Sequence, residues 1–234
     1  SRQAAHDFLK EAGWLIITLG SSFTYRLTAA ASLAGEALHT GVANCHRAPS
    51  AWFSKEMLEI PVISQLLAGT IQRLRNFNPA LKIIFTISPV RHIRDGVVEN
   101  NRSKARLIEV VQQLTQFHDF IHYFPAYELV IDVLRDYRFY DIDLVHPNYA
   151  ATEFVLEKFG LSCIDEETLL LMQEVKKIMI ARRHKPFQPD TNAHRKFLAD
   201  HALKVIALME KYPFLDLREE QQYFSRELEV GSRE

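Results

Sequence analysis

Only two cysteines occur in the 234 residues, and that scarcity removes most of what cysteine can build. Cys45 and Cys163 make no disulfide framework, and neither stands at metal-ligand spacing to another donor. A reducing compartment fits, so a cytoplasmic location is the expectation. The chain also lacks an apolar run of transmembrane length, and no signal-peptide pattern opens it, so no membrane span is expected. Charge of one sign is missing too. A formal net charge of −1 gives no electrostatic reason to expect nucleic acid or an anionic membrane as partner. There is no Gly-Lys-Ser/Thr for a phosphate loop and no Gly-x-Ser-x-Gly. His118 and His122 are four apart, but they straddle a helix-to-strand junction and no carboxylate or cysteine completes a set. Neither a metal nor a cofactor is expected.

What remains is an ordinary globular composition, 47% hydrophobic and 24% charged, in a chain long enough to bury a sizeable core. Nothing in it specifies an oligomeric state. Residues 3–12 read as a helix ended by Gly13. Trp14-Leu-Ile-Ile-Thr-Leu19 is almost wholly apolar, as a strand buried on both faces of a parallel sheet would be, and it stops at Gly20-Ser21-Ser22. Residues 23–43 read as irregular, and residues 54–78 as helical, with Ser54 an N-cap and Pro61 at a bend or in the first turn of a following helix. Lys82-Ile-Ile-Phe-Thr-Ile87 is a second strand, running into a polar loop with Ser88, Arg91, His92 and Arg94. Ser103 can cap a helix over Lys104–Phe117, and Phe120–Phe124 is a third strand. Helical stretches follow over 127–137 and 150–159.

Alternating strands and helices at these spacings predict a doubly wound α/β domain. Right-handed crossovers then gather Gly20, Asn44, Ser88, Arg91, His92 and His146 at the C-terminal edge of the sheet. Two domains are predicted: an α/β domain over 1–160 and a helical extension over 161–234. The extension holds an amphipathic helix over 165–183, a second over 192–211, and a frayed charged tail after Leu217.

The chemistry centres on Tyr137-Arg-Phe-Tyr-Asp-Ile-Asp-Leu-Val-His-Pro-Asn148. Asp143 and His146 form an Asp-x-x-His pair, spaced so that the carboxylate can fix the tautomer of the imidazole and stabilise its cation. Pro147 biases His146 towards extended backbone, placing the pair in a loop before a helix. The alternative is a helix-capping aspartate beside an unrelated histidine. Ser21 or Ser22 is either a nucleophile or a turn residue. Asn44 is either an oxyanion donor or the centre of an Asx-turn. Arg91, His92, Arg94, Arg135 and Arg138 either bind an anionic substrate group or make structural ion pairs.

Seven ordered stretches carry a family resemblance. They are Ile16-Ile-Thr-Leu-Gly20, Val42-Ala-Asn-Cys-His46, Thr86-Ile-Ser-Pro-Val-Arg-His92, Glu99-Asn-Asn-Arg-Ser-Lys104, Tyr123-Phe-Pro-Ala-Tyr-Glu128, Leu134-Arg-Asp-Tyr-Arg-Phe-Tyr140 and Asp143-Leu-Val-His-Pro147. On these the chain resembles the GSCFA-domain family, bacterial proteins related to SGNH (GDSL-like) esterases and acylhydrolases. The resemblance implies a three-layer, flavodoxin-like α/β/α fold and a serine esterase acting on a small-molecule or carbohydrate O-acyl ester. In that family reading Asp143 and His146 complete the triad, and Gly20 and Asn44 serve the oxyanion; Arg91 and His92 are the substrate-binding candidates read from the residues themselves. The family's Gly-Ser-Cys-Phe-Ala motif, whose serine is the expected nucleophile, does not occur here. Gly20-Ser-Ser-Phe23 matches a later strand end instead. The expectation is therefore an N-terminally truncated chain whose nucleophile lies upstream, with Ser21 the weaker candidate. The competing expectation is an inactive SGNH-fold protein that binds a carbohydrate or acyl group.

Overall fold

The computed structural model describes residues 2–32, 41–189 and 191–230. In chain order the elements are α1 (Arg2–Glu11), β1 (Trp14–Leu19), β2 (Phe23–Leu27), the short turn α2 (Ala29–Ser32), β3 (Gly41–Val42), β4 (Phe53–Met57), α3 (Ile60–Phe77), β5 (Lys82–Ile87), α4 (Val97–Phe117), β6 (Ile121–Tyr123), α5 (Ala126–Glu128), α6 (Tyr149–Cys163), α7 (Glu166–Arg183), α8 (Asn192–Lys211) and α9 (Arg218–Val230). Leu129–Leu134 continues α5 as a π-helical turn. The chain divides into two compact units, residues 1–157 and 158–234, the division falling inside α6.

The first unit is mixed α/β, with a three-stranded parallel sheet in the order β1-β5-β6. The β5 sequence Lys-Ile-Ile-Phe-Thr-Ile is buried at every position after its lysine. That is what a central strand covered on both faces requires. Ile83, Phe85 and Ile87 on one face meet Ile63 and Ile71 of α3 and Leu107, Val110, Val111 and Leu114 of α4. β1 differs from its expectation. It is the edge of the sheet among the described residues, and Trp14 and Ile16 are 50% and 52% exposed, while Ile17 and Leu19 pack on the core. Its apolar composition is that of a central strand, but its exposure alternates. Lys82 Nζ lies 5.1 Å from the Trp14 ring centroid, and the His122 ring lies 5.4 Å from it.

A second sheet, antiparallel and ordered β3-β2-β4, occupies part of the stretch read as irregular. Thr24 pairs with Glu56 and Arg26 with Ser54. The helix expected from Ser54 accordingly begins only at Ile60, after Glu59, with Pro61 in its first turn, where a missing N–H is harmless. Ser54 is a strand residue. Of the stretch 23–43, residues 33–40 lie outside the described residues. α4 also starts earlier than expected, at Val97, directly after Gly96 at φ 89°. Ser103 therefore lies inside the helix and caps nothing.

In the second unit, Asp165 caps α7 by accepting from the Thr168 N–H at 2.9 Å, and Thr191 caps α8 by accepting from the His194 N–H at 3.3 Å. The tail expected to fray is helix α9. Leu217 and Phe224, seven residues apart, are buried beside Ile178, Leu198 and Val205, and buried Glu220 pairs with Arg182. Two buried anchors on one face outweigh the charged residues between them.

Candidate active site

His146 and Asp143 occupy the loop that precedes α6. Asp143 folds back on its own turn. Its Oδ1 accepts the N–H groups of Val145 (2.9 Å) and His146 (3.0 Å), and its Oδ2 accepts from His146 Nδ1 at 2.6 Å. These bonds, with the backbone N–H of His146 and its ring foremost, hold the Asp143 carboxyl down at about 2. The carboxylate is therefore ionised and can only accept. Nδ1 must then carry the ring proton, which leaves the Nε2 lone pair free as a base. The turn needs Leu144 in the left-handed region, at φ 57°, a conformation that a branched residue adopts only where its surroundings impose it. The pair is open to solvent, the side chains of His146 and Asp143 being 57% and 46% exposed.

The dyad loop is joined to the loop after β5. The Arg91 N–H donates to the Val145 carbonyl (3.3 Å), and Tyr140 forms an isolated antiparallel bridge with Pro147. The Arg91 guanidinium lies 4.4 Å from the Tyr140 ring centroid and 5.3 Å from that of Tyr137, a stacked placement that only a planar cation fills well. Arg138 pairs with Asp136 at 3.4 Å, and Arg135 turns the chain at φ 46°.

The ends of β1 and β5 are held by one helix. From α4, Asn100 Oδ1 accepts the His92 N–H (2.9 Å), and Ser103 Oγ accepts the Ser22 N–H (2.7 Å) and the Ser22 hydroxyl (3.0 Å). Lys104 Nζ donates to the carbonyls of Gly20 and Ser88, both at 2.6 Å. A Cβ on Gly20 would stand 3.8 Å from His92 Nε2, so the histidine ring lies beside that turn. Burial, then the Lys104 charge, lowers the His92 pKa below its ordinary value. Burial pulls Lys104 down to about 8. Asn100, Ser103 and Lys104 lie in a stretch quoted for the family resemblance, but their hold on the strand ends escaped the sequence reading. Their spacing continues the buried stripe of Leu107, Val110, Val111 and Leu114, and polar residues on an apolar stripe were the available signal.

Gly20, Ser88, Arg91, His92 and the Asp143–His146 loop are thus linked through β1, β5 and α4. Two expected members have their side-chain oxygens engaged elsewhere. Ser21 Oγ accepts from the Phe23 N–H (3.1 Å) and lies 3.3 Å from Ser103 Oγ, and among the described residues it has no hydrogen bond to His146. Asn44 lies beyond β3, and its Oδ1 accepts the His46 N–H at 2.8 Å, the Asx-turn of the two readings. His46 and Arg47 follow with φ of 46° and 61°. The His118 ring lies against Phe120 and the His122 ring against Trp14. Among the described residues, no group of three or more His, Cys, Asp or Glu is arranged to hold a metal. No helix there is long and apolar enough to cross a membrane.

Comparison with known proteins gives two family matches: the GSCFA family over residues 1–159, and the GSCFA domain protein, C-terminal domain, over residues 175–230. No curated protein and no solved structure matches. Because the first match alone spans 159 of the 234 residues, and the dyad lies within it, the chain belongs to the GSCFA family.

Proposed function

We propose that this protein is an ester hydrolase of the SGNH type, built on a three-layer α/β/α frame and acting on an O-acyl ester such as an O-acetyl group. One observation carries the reading. The Asp143 carboxylate fixes the His146 tautomer, leaving Nε2 as base, in a loop tied to the C-terminal end of the parallel sheet. In the reaction a serine Oγ attacks the ester carbonyl while Nε2 takes its proton. The carbonyl π electrons become an oxyanion, which Gly20 and the Asn44 side-chain N–H groups are proposed to receive, the Asx-turn engaging only the Asn44 Oδ1. Collapse expels the alcohol, and the imidazolium returns the proton to it. Water, deprotonated by the same nitrogen, then releases the acid. The serine is proposed to be that of the family's Gly-Ser-Cys-Phe-Ala motif, which these residues do not contain. Arg91 and His92 are proposed to face the substrate.

A second reading is favoured by the engagement of Ser21 with Ser103 and Phe23 rather than His146. In it the chain binds a carbohydrate or acyl group without turnover. Hydrolysis of p-nitrophenyl acetate separates the two readings, run on the chain, on His146→Ala, on Ser21→Ala, and on a form carrying the family motif. Turnover that needs His146 and the added motif supports the hydrolase, and turnover lost in Ser21→Ala instead moves the nucleophile to Ser21. If no form turns over or reacts with a fluorophosphonate, the hydrolase reading is wrong.

A further inference from the structure

Helix α4 buries an ammonium that no carboxylate neutralises among the described residues. Lys104 is 1% exposed, on the same stripe as Leu107 and Val111, and burial alone accounts for its lowered pKa. A lone cation is expensive in such a place, and a methionine of similar length would complete the stripe without that cost. The lysine must therefore do something an apolar side chain cannot. What it does is visible in its two bonds. Nζ reaches the carbonyls of Gly20 and Ser88, the first residues past the ends of β1 and β5.

The Gly20 carbonyl shares a peptide unit with the Ser21 N–H. The chain has no cis peptide among its described residues, so the two groups of this planar unit point in opposite directions, and gripping one aims the other. An ammonium donating to a carbonyl also polarises the unit and strengthens its N–H as a donor. The next two N–H groups are already used: Ser22 donates to Ser103 Oγ and Phe23 to Ser21 Oγ. The Ser21 N–H has no acceptor among the described residues. It is a held, polarised and unused donor at the end of a strand whose loop adjoins His92.

We propose that Lys104 is a positioning residue that fixes the Gly20–Ser21 peptide, so that the Ser21 N–H donates to the oxyanion formed during acyl transfer. The oxyanion role rests on the hydrolase reading above; the hold on the peptide does not. Preorganised donors of this kind act where charge develops, so their loss lowers kcat rather than binding.

The first test needs no variant. In 15N-labelled chain the Ser21 amide is followed from about pH 6 to about pH 10, across the range where a depressed lysine loses its proton. The charged and titratable groups around Lys104 are His92, from the loop after β5, with Asp95 and Lys55 behind it. The lowered pKa of His92 puts its own transition below that of Lys104. A Ser21 transition near pH 8 that vanishes in Lys104→Met supports the hold, and a flat Ser21 resonance in the wild type overturns it. The second test is kinetic, in a form that turns over p-nitrophenyl acetate. Lys104→Met is expected to lower kcat about ten-fold or more with KM nearly unchanged. Unchanged kcat in a variant that still melts cooperatively overturns the oxyanion role. A Ser21 transition in a protein that never turns over leaves the hold standing and overturns the oxyanion role together with the hydrolase reading.

Discussion

The buried amine of Lys104 makes the stability of the protein depend on pH in a direction unusual for lysine. Its folded pKa, about 8, lies below the ordinary 10.5, so between those values the unfolded chain binds more protons than the native one, and stability rises with pH. The protonated lysine is the disfavoured form, and its cost is fully present below pH 8. Converted directly, the difference between 10.5 and 8 is about 3 kcal/mol at ~1.4 kcal/mol per pH unit. Relaxation and water reaching the amine reduce this to about 2 kcal/mol. The perturbation is Lys104→Met, which removes the titration and also leaves the Gly20 and Ser88 carbonyls without their shared donor. Urea unfolding of both proteins at pH 7 and again near pH 10 isolates the titration, because the carbonyl penalty is common to both conditions. The wild type is expected to gain about 2 kcal/mol on the variant over that interval. Parallel pH dependences would refute the reasoning and show that the amine is as well solvated folded as unfolded.

Asp143→Asn is expected to keep both backbone bonds to Oδ1 by turning its amide towards the ring, which forces His146 to carry its proton on Nε2. Nitrogen shifts report that change directly, and kcat should fall about 10²-fold, the low end for a base this exposed; a retained Nδ1 proton would sink the dyad. The Asp143 carboxyl carbon should titrate near 2. Since its folded pKa is depressed, the dyad's contribution is complete above the unfolded carboxyl pKa of about 3.9 and lost as pH falls through the folded value. Phe224→Ala, at a fully buried position in the second unit, should cost about 3–5 kcal/mol by chemical denaturation; a loss below about 1 kcal/mol would mean that α9 does not depend on this anchor. Leu144→Gly should change stability by no more than about 0.5 kcal/mol, since relief of the left-handed strain offsets glycine's added chain entropy.

How much could be read in advance depended on whether neighbours or the local sequence decided each element. The β5 run and helices α7 and α8 carry their own signals, and the structure has them where the sequence put them. The Asp143–His146 contact was equally local, closed within four residues. Residues 54–57 were read as the start of a helix capped by Ser54, and only pairing with β2 makes them part of a strand. β1 shows the converse: composition cannot tell an edge strand from a central one. The buried contacts of Asn100, Ser103 and Lys104 were not legible for a third reason, since a polar side chain reads as solvent-facing until its hydrogen-bond partners, here 8 to 84 residues away, are known.

The stripe along α4 has a consequence for how this protein can change over evolutionary time. Its first turns grip the loops at the ends of β1 and β5, and its later turns wedge Val110, Val111 and Leu114 into the core. A rigid rod cannot shift at one end without carrying the other. Substitutions in the hydrophobic interior will therefore surface as functional defects far from any ligand, and variants that retune the loops will carry a thermal penalty. Selection acting on either trait must move along a shared axis, and compensating changes should be found scattered along this single helix.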